Sequence, residues 1–177
     1  MADKSFIVPL ETLDFDNVVA DIEAIREVNP QRFEMEQLTA IVWEDPEKNI
    51  CVGYKDITLE EFWVRGHMPG MPLMPGVVML EAAAQCCAYH AKKFDVLGAD
   101  MVGFGGLEDV RFREPVIPGD RLIIICEMIN VRRGRLVVCR FQGIVRNLLA
   151  VEGIIKGIAI PIDALKTSLQ QRAQVTE

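Results

Sequence analysis

The sequence predicts an α+β fold, in which a curved antiparallel sheet of about six strands wraps around one long central helix at residues 76–93. These residues contain five alanines, no proline and no internal glycine, a composition that favours a continuous helix. The side chains are apolar almost all round from Val77 through Cys87, which is typical of a helix buried on most sides. Strand-like segments lie on both sides of this helix, and an antiparallel sheet that enclosed it would bury both elements.

A short helix and several strands surround the central helix in the chain. Apolar residues at helical spacing predict a helix over residues 18–26, capped by Asp16 or Asn17 and ended by Asn29-Pro30. Enrichment in valine, isoleucine, leucine and phenylalanine predicts strands at residues 33–44, 49–55, 101–113, 121–132, 135–147 and 150–160.

Proline and glycine mark the connections between these elements. Residues 62–76 contain six prolines and glycines, which indicates a loop. Pro118-Gly119-Asp120 indicates a turn, Arg133-Gly134 indicates the tightest hairpin, and Asn147-Leu148-Leu149 indicates a weaker turn. The polar residues 161–177 predict a loose terminal helix.

The length of 177 residues indicates a single domain that is large enough to bury a proper core. We predict an N-terminal extension at residues 1–19, the folded domain at residues 20–160 and a C-terminal tail at residues 161–177.

The composition excludes several classes of protein. Half of the residues are hydrophobic and a quarter are charged, which excludes a disordered chain. A net charge of −7 argues against a nucleic-acid partner. The longest apolar run, residues 77–88, is interrupted by Glu81 and Gln85 and is too short to cross a membrane, so we expect no membrane association.

The charge is distributed unevenly along the chain. Residues 1–60 hold 14 acids and five bases, whereas residues 101–150 hold five acids and eight bases, all of them arginine. A basic stretch therefore lies inside an acidic protein, and we expect some of these arginines to steer an acidic partner.

The chain has five cysteines without Cys-x-x-Cys spacing, and its first residues open no long apolar run of the kind that begins a secretory signal. We therefore expect a reduced, cytoplasmic location, with the cysteines acting as small buried hydrophobic residues.

His67 is the histidine most suited to chemistry, because it lies in a stiff loop directly before the central helix. The chain has only two histidines, which argues against a multi-histidine metal site, and we predict no metal. The other, His90, is expected to cap the helix or lie on the surface. No glycine motif follows a strand and opens a helix, so we predict no cofactor.

Glu81 and Gln85 are four residues apart and share one helix face. A carboxyl group in an apolar helix is costly to bury unless it is paired or protonated, and burial makes it suited to donate a proton near neutral pH. Gln85 can hold it by a hydrogen bond. The alternative is that both side chains simply face solvent or a subunit contact.

Pro75-Gly76 begins the central helix, where the first backbone N–H groups lack partners. Gly76 has no Cβ, so a ligand carbonyl can approach those N–H groups closely. The alternative is an ordinary junction between a loop and a helix.

A base, an acid and an oxyanion donor within about 15 residues suit proton abstraction next to a carbonyl group, with an acid protonating the leaving group. Ser5 and Ser168 lie near the termini, outside any nucleophile motif. The interior of a helix disfavours Cys86 or Cys87 as a thiolate nucleophile.

Two segments carry a family resemblance: RGHMPGMPLMPGV at residues 65–77, followed by EAAAQ at 81–85, and GGLEDVRFREPVIPGD at residues 105–120. They resemble the signature of the (3R)-hydroxyacyl-acyl-carrier-protein dehydratases of bacterial fatty acid synthesis. A weaker match is IEAIREVNPQRF at residues 22–33. The resemblance extends over roughly residues 20–160.

The resemblance implies the hot-dog fold and a reaction on an acyl thioester. His67 would take the C2 proton of the 3-hydroxyacyl substrate, and Glu81 would protonate the departing hydroxyl. The N–H of Gly76 would polarise the thioester carbonyl, and Gln85 would orient Glu81. A glutamate as the acid, where the isomerising branch has an aspartate, indicates the plain dehydratase branch.

The resemblance also implies an acyl carrier protein as partner. Two subunits would pair, as a homodimer or a trimer of dimers, and each active site would take its histidine from one chain and its acid from the other. The residues predicted to contact substrate or carrier are Phe33, Met68, Pro75, Val77, Arg111 and Arg113. Met68 replaces a usual phenylalanine and Gln31 a usual histidine, which bears on the substrate tunnel.

Two other functions remain alternatives at this point. One is a hot-dog hydratase or thioesterase that acts on coenzyme A thioesters. The other is an acyl-binding hot-dog protein without catalysis, which the presence of both His67 and Glu81 disfavours.

Overall fold

A computed structural model describes residues 6–174 as one six-stranded antiparallel sheet around a long helix. The helices are α1 (Ile22–Val28), α2 (Gly76–Lys93) and α3 (Ile162–Gln174). The strands are β1 (Ala40–Asp45), β2 (Ile50–Asp56), β3 (Met101–Phe112), β4 (Arg121–Arg132), β5 (Leu136–Val145) and β6 (Leu148–Ile160). Their order in the sheet is β1-β2-β4-β5-β6-β3.

Helix α2 occupies the bounds that the sequence predicts, and it packs against β2, β3, β4 and β5. Eleven of its 18 residues are buried, including Ala82, Ala83 and Cys86. These small side chains let the strands approach the helix closely, and the apolar surface that they bury is the main source of stability for the domain. Within residues 6–174, no helix combines the length and apolar character needed to cross a membrane.

The outer face of the sheet has an apolar cover of its own. Buried Val8 and its neighbours Phe6 and Leu10 pack against side chains of β1, β2 and β4. The backbone N–H of Ile7 donates to Oε1 of Gln142 at 2.8 Å, which ties this segment to β5. The described part of the predicted N-terminal extension therefore belongs to the folded core, whereas residues 1–5 lie outside the described residues.

Strand β3 lies at one edge of the sheet and pairs only with β6 within the described chain. It is 12 residues long and exposes large apolar side chains, among them Phe104, Leu107 and Phe112. Two irregularities interrupt its register with β6, and Asp109 adopts a positive φ of 52° at the second of them. A long apolar edge of this kind is suited to pair with another strand.

The predicted start of the first helix at residue 18 is wrong. Helix α1 begins at Ile22, and its cap is Asp21, whose carboxylate accepts the N–H of Ala24 at 3.0 Å. Ala20 instead forms an antiparallel bridge with Ile41 of β1, and the N–H groups of Val19 and Ala20 both donate to the carbonyl of Ile41. The hydrogen bonds to β1 therefore outweigh the helical spacing of the apolar residues and set where α1 begins.

The predicted strand at residues 33–44 begins too early in the chain. Phe33 has a φ of 58°, outside the extended region, and Phe33–Met35 forms a single 3₁₀ turn. Pairing with β2 begins at Ala40. The turn brings the backbone of residues 34–37 over the middle of α2, where it contributes to the candidate site.

Both predicted hairpins exist, with one shifted by a residue. Gly134 takes a positive φ of 72° in the β4–β5 turn, as the Arg133-Gly134 pattern predicts. The β5–β6 turn is centred on Arg146 and Asn147, with φ values of 49° and 60°, so β6 begins directly at Leu148. Two left-handed residues are what a tight two-residue hairpin requires.

The prediction that His90 caps the helix or lies on the surface is wrong. His90 is only 1% exposed, and its ring stacks on that of Phe94 with centroids 4.7 Å apart. Neither ring nitrogen has a hydrogen-bond partner within the described residues. Burial disfavours the charged imidazolium and lowers the pKa of His90.

We expect the burial of His90 to make the protein less stable in mild acid. Because the pKa of His90 in the folded chain lies below its ordinary value of 6.5, the unfolded chain binds the proton first, so the free energy of unfolding falls as the pH drops below about 6.5. The contribution of one proton is at most about 1.4 kcal/mol per pH unit. Urea unfolding of His90→Phe should therefore depend less on pH between 7 and 5 than that of the wild type.

Phe94→Leu is the matched control, since it removes the stacking ring but leaves His90 able to titrate. It should keep the steeper pH dependence. An unchanged slope in His90→Phe would show that other groups cause the acid sensitivity.

Candidate active site

The loop before α2 holds His67 in a defined orientation. Its backbone N–H donates to the carbonyl of Trp63 at 2.8 Å, and Trp63 itself is buried in the core. Its ring Nδ1 lies 2.9 Å from the carbonyl oxygen of Leu73. A carbonyl can only accept, so Nδ1 carries the hydrogen in the neutral ring, and Nε2 keeps its lone pair. His67 is thereby set up as a base at Nε2.

A cleft of about 570 Å³ lies beside this histidine. Its wall combines the His67 loop, the first turns of α2 and the end of β3 with the residues that follow it. The lining residues include His67, Met68, Leu73, Pro75, Gly76, Val77, Leu80, Phe112 and Arg113. Of the predicted substrate-contact residues, Met68, Pro75, Val77 and Arg113 therefore meet in one cleft with His67.

The start of α2 offers free donors to this cleft. Pro75 is the N-cap in extended conformation, and no hydrogen bond satisfies the N–H of Gly76 or Val77 within the described chain. A Cβ on Gly76 would lie 2.7 Å from Cε1 of Phe112, so only glycine fits beneath that ring without a shift. Together with the positive end of the helix dipole, these N–H groups suit an oxygen that gains negative charge.

Gln85 holds the Glu81 carboxylate one turn further along the helix. Nε2 of Gln85 donates to Oε1 of Glu81 at 2.7 Å and to the carbonyl of Met35 at 2.6 Å, while its Oε1 accepts the N–H of Gln37 at 2.9 Å. Gln85 is only 2% exposed, and its bond with the N–H of Gln37 is buried, whereas the bonds to Met35 and Glu81 are partly buried. Asn29 adds a bond from its Nδ2 to the backbone carbonyl of Gln85 at 3.0 Å.

Glu81 opens into a different cavity from His67. This second cavity, of about 90 Å³, lies between α2 and strands β3, β5 and β6. Its lining includes Gln31, Glu81, Ala84, Cys87, Phe104, Cys139 and Lys156. Within one chain the structure therefore groups His67 with Gly76, and Glu81 with Gln85, but it does not bring the two groups into one cavity.

Phe33 and Arg111 lie outside both cavities. Phe33 is 83% exposed and lines a separate acidic depression with Glu34, Glu60 and Phe62. Arg111 is exposed on the edge strand β3, opposite Glu152 in the register with β6.

Most of the arginines in the basic stretch are paired with acids on neighbouring elements. The pairs are Arg113 with Glu152, Arg121 with Asp56, Arg133 with Asp95, Arg140 with Glu127, and Arg146 with Asp120. Their positive charge is largely neutralised locally, which leaves less of it for an acidic partner than the sequence count indicates.

The groups that sequence reasoning missed are mainly backbone atoms. The carbonyls of Leu73 and Met35 and the N–H of Gln37 position the two candidate side chains, and any residue type would supply them. Phe112, which covers Gly76, is a side chain within the 105–120 segment. Its position at the end of the predicted strand at residues 101–113 was the only available signal.

Three thiols form the one group in the described chain that has the donor types and spacing to hold a metal ion. The Sγ atoms of Cys87, Cys126 and Cys139 all lie within 4.8 Å of one another, and all three residues are buried. No histidine or carboxylate belongs to this group.

A six-stranded antiparallel sheet around a buried helix defines a hot-dog protein, and in this chain His67 precedes that helix and Glu81 lies on it. A family model of the FabA-like domain matches residues 29–153, which is most of the described chain. The chain belongs to this family, as the sequence resemblance indicates.

A curated relative is similar to the chain in sequence. It is the 3-hydroxyacyl-[acyl-carrier-protein] dehydratase FabZ of Desulfotalea psychrophila, 40% identical over 115 residues, which are 64% of this chain and 76% of that protein.

Two solved structures share the fold. The dehydratase heterocomplex ApeI:P from Xenorhabdus doucetiae matches with a TM-score of 0.67 and 13% identity, over 82% of this chain and 96% of that one. Cj0977, a sigma28-regulated virulence protein from Campylobacter jejuni, matches with a TM-score of 0.60 and 17% identity, over 84% and 96% respectively. At these identities the likeness concerns the fold alone, and it confirms the predicted architecture.

We expect Gln85→Leu to be strongly destabilising. The leucine would leave the N–H of Gln37, the carbonyl of Met35 and one oxygen of Glu81 without their partner, and each unsatisfied buried group costs about 1–3 kcal/mol. The free energy of unfolding in urea should fall by at least about 2 kcal/mol. Gln170→Leu makes the same change at an exposed position of α3 and should have little effect. Equal stability of the two variants would contradict the network.

Proposed function

We propose that this protein dehydrates (3R)-3-hydroxyacyl thioesters of acyl carrier protein to trans-2-enoyl thioesters, as in fatty acid synthesis. The observation that carries the proposal is one cleft lined both by His67, whose Nε2 is free, and by Gly76, whose N–H has no partner in the described chain. A base next to an oxyanion donor suits removal of a proton from the carbon adjacent to a thioester carbonyl. Membership of the FabA-like family and the name of the Desulfotalea psychrophila relative support this reaction and its carrier.

In the proposed reaction His67 and Gly76 act on the thioester end of the substrate. The N–H of Gly76 donates to the carbonyl oxygen, which stabilises the negative charge that develops there. Nε2 of His67 takes a proton from C2, and the electron pair of that C–H bond forms the C2=C3 double bond as the C3–O bond breaks. Glu81, in its protonated form, gives its proton to the departing hydroxyl, which leaves as water.

Gln85 acts as a positioning residue in this scheme. Its amide is fixed by two backbone groups, so Oε1 of Glu81 is held at one place on the helix. The second oxygen of Glu81 is then free to face the substrate. The proton balance closes when the proton on His67 returns to Glu81 through solvent, and the net products are the enoyl thioester and one water.

We propose that each active site combines His67 of one chain with Glu81 of a second copy. The separation of the two residues into different cavities within one chain supports this arrangement. Strand β3 borders both cavities, through Phe112 at one and Phe104 at the other, and its outer edge is unpaired in the described chain. Antiparallel pairing of β3 with its copy would form a continuous sheet and a homodimer, which three dimers can extend to a hexamer.

Two further features bear on the partner and the compartment. Arg111 projects from the same strand as Phe112, near the cleft, and can attract an acidic carrier. All five thiols are free and buried, which supports a reduced, cytoplasmic setting.

Complementation between inactive variants tests the shared site. His67→Ala and Glu81→Gln should each lower the rate of enoyl hydration by about 10²–10⁴-fold, because each loses one proton-transfer group. A mixed dimer of the two would contain one site with neither group changed and one site with both changed. Co-expression with random pairing should therefore restore about a quarter of the wild-type activity.

The matched control is a mixture of the single variant His67→Ala with the double variant that carries both changes, which cannot form an intact site. If the two single variants together stay as inactive as this control, the sites are not shared. If either single variant keeps the wild-type rate, the proposed roles are wrong.

The choice between carrier and coenzyme A is tested by charge reversal at Arg111. Arg111→Glu should lower kcat/KM for the carrier-linked substrate by roughly tenfold and change it much less for the coenzyme A substrate, because the carrier presents an extended acidic protein surface whereas the negative charge of coenzyme A is confined to its phosphates. Arg132→Glu is the control, since it lies by the β4–β5 turn, which contacts Leu97 beyond the far end of α2. Equal losses on both substrates would remove Arg111 from carrier recognition.

A further inference from the structure

The five cysteines of this chain form one continuous buried group between α2 and the sheet. Cys51 and Cys86 lie 3.8 Å apart at one side, measured between their Sγ atoms. Cys126 lies at the centre and contacts the carbonyl of Ala83. Cys87 and Cys139 lie at the other side, and their Sγ atoms are only 2.7 Å apart.

Cys87 and Cys139 differ from the other three thiols in two respects. Both line the cavity into which Glu81 opens, whereas Cys51, Cys86 and Cys126 do not. Cys87 belongs to α2, the helix that carries Glu81, and Cys139 belongs to β5 in the surrounding sheet. A covalent bond between them would join the helix to the sheet.

The distance of 2.7 Å between the Sγ atoms of Cys87 and Cys139 is shorter than a van der Waals contact and longer than a disulfide bond. Heavy atoms that merely touch lie roughly 3.5–4 Å apart, and sulfurs in a disulfide about 2.05 Å apart. Two thiolates on one tetrahedral zinc ion would be about 3.8 Å apart, given Zn–S bonds of about 2.3 Å. The pair is therefore closer to a disulfide than to a pair of metal ligands.

A small oxidant can reach these sulfurs through the cavity. The cavity has a volume of about 90 Å³, which is several times the roughly 10–15 Å³ that one water-sized molecule requires. Phe104 and Glu81, which line the same cavity, are partly exposed to solvent. Cys51, Cys86 and Cys126 do not line this cavity.

Within the Cys87–Cys139 pair, Cys139 is the thiol that more readily forms the thiolate. Burial raises the pKa of the Cys139 thiol, but the neighbouring thiols of Cys126 and Cys87 stabilise the thiolate and lower its pKa to about 6. The thiolate is the form that attacks an oxidant.

We propose that Cys87 and Cys139 form a reversible disulfide when the protein meets hydrogen peroxide, and that this bond is a redox modification site in the wall of the Glu81 cavity. The Cys139 thiolate attacks one oxygen of the peroxide and breaks the O–O bond, which gives a sulfenic acid and hydroxide. The Cys87 thiol then attacks that sulfur and displaces the sulfenic oxygen as water, while the hydroxide takes up the proton that Cys139 lost on ionising and becomes the second water. In total two thiols and one hydrogen peroxide give one disulfide and two waters.

The bond bears on catalysis through the position of Glu81. It would fix α2 to β5 beside the carboxyl group and replace two thiols in the cavity wall. This consequence rests on the proposed function, whereas formation of the bond does not.

The experiment treats the full chain with hydrogen peroxide and counts thiols after denaturation. The wild type should lose two of its five thiols and about 2 Da of mass, with recovery of both in dithiothreitol. Peptide mapping should find Cys87 joined to Cys139. Cys139→Ser should keep its thiols, and Cys51→Ala, which changes a thiol outside the cavity, should form the bond like the wild type.

Other results overturn the proposal. These are no loss of thiols, a bond between Cys51 and Cys86 or through Cys126, or irreversible gain of oxygen at Cys87. Circular dichroism verifies the fold of Cys139→Ser, and Cys87→Ala is the second variant if the first does not fold.

The activity readout is the ratio of enoyl hydration in oxidised and reduced samples of the same variant. We expect a several-fold lower rate in the oxidised wild type, restored by dithiothreitol, and a ratio of about one in Cys139→Ser. An unchanged ratio in a protein that carries the bond would remove the link to Glu81. A protein with the bond and no hydration in either state would instead contradict the proposed function.

Discussion

Helix α2 is apolar on nearly every side, and the rest of the domain is arranged to keep water away from it. The sheet curves around the helix, and its strands β2, β3, β4 and β5 pack against α2. This enclosure also determines where chemistry is possible. The first turn, at Gly76 and Val77, reaches the surface with N–H groups that have no partner in the described chain, so this end of the helix is suited to an oxygen that gains negative charge.

Polar side chains on such a helix must be satisfied within the protein. Gln85 meets this requirement completely, with two backbone partners and Glu81 as the third, and it thereby holds a carboxyl group in an apolar surrounding. His90 does not meet it, since neither ring nitrogen has a partner within residues 6–174. Burial of the helix therefore has opposite consequences for two polar groups. The Glu81 carboxyl group is held in place by Gln85, whereas the unpartnered ring of His90 makes the protein less stable in acid.

The sheet has two further surfaces that need partners. Residues near Val8 cover its outer face, so that the N-terminal segment replaces solvent there. The edge at β3 is left open in the described chain, although it carries large apolar side chains. This edge borders both the His67 cleft and the Glu81 cavity, so the second copy that we propose would cover the apolar edge and complete the site together.

The central helix, the number of strands and the family could be predicted from the sequence alone. The local pairs His67–Gly76 and Glu81–Gln85 could be predicted as well, because each pair depends on spacing along one element or one loop. Contacts between distant parts of the chain settled that Asp21 caps α1, that residues 33–39 lie outside the sheet, that His90 is buried and that most of the arginines in the basic stretch are paired. Each of these outcomes depends on residues far apart in the chain. The physical reason is that burial and pairing are properties of the packed chain, whereas spacing and propensity act only between neighbours.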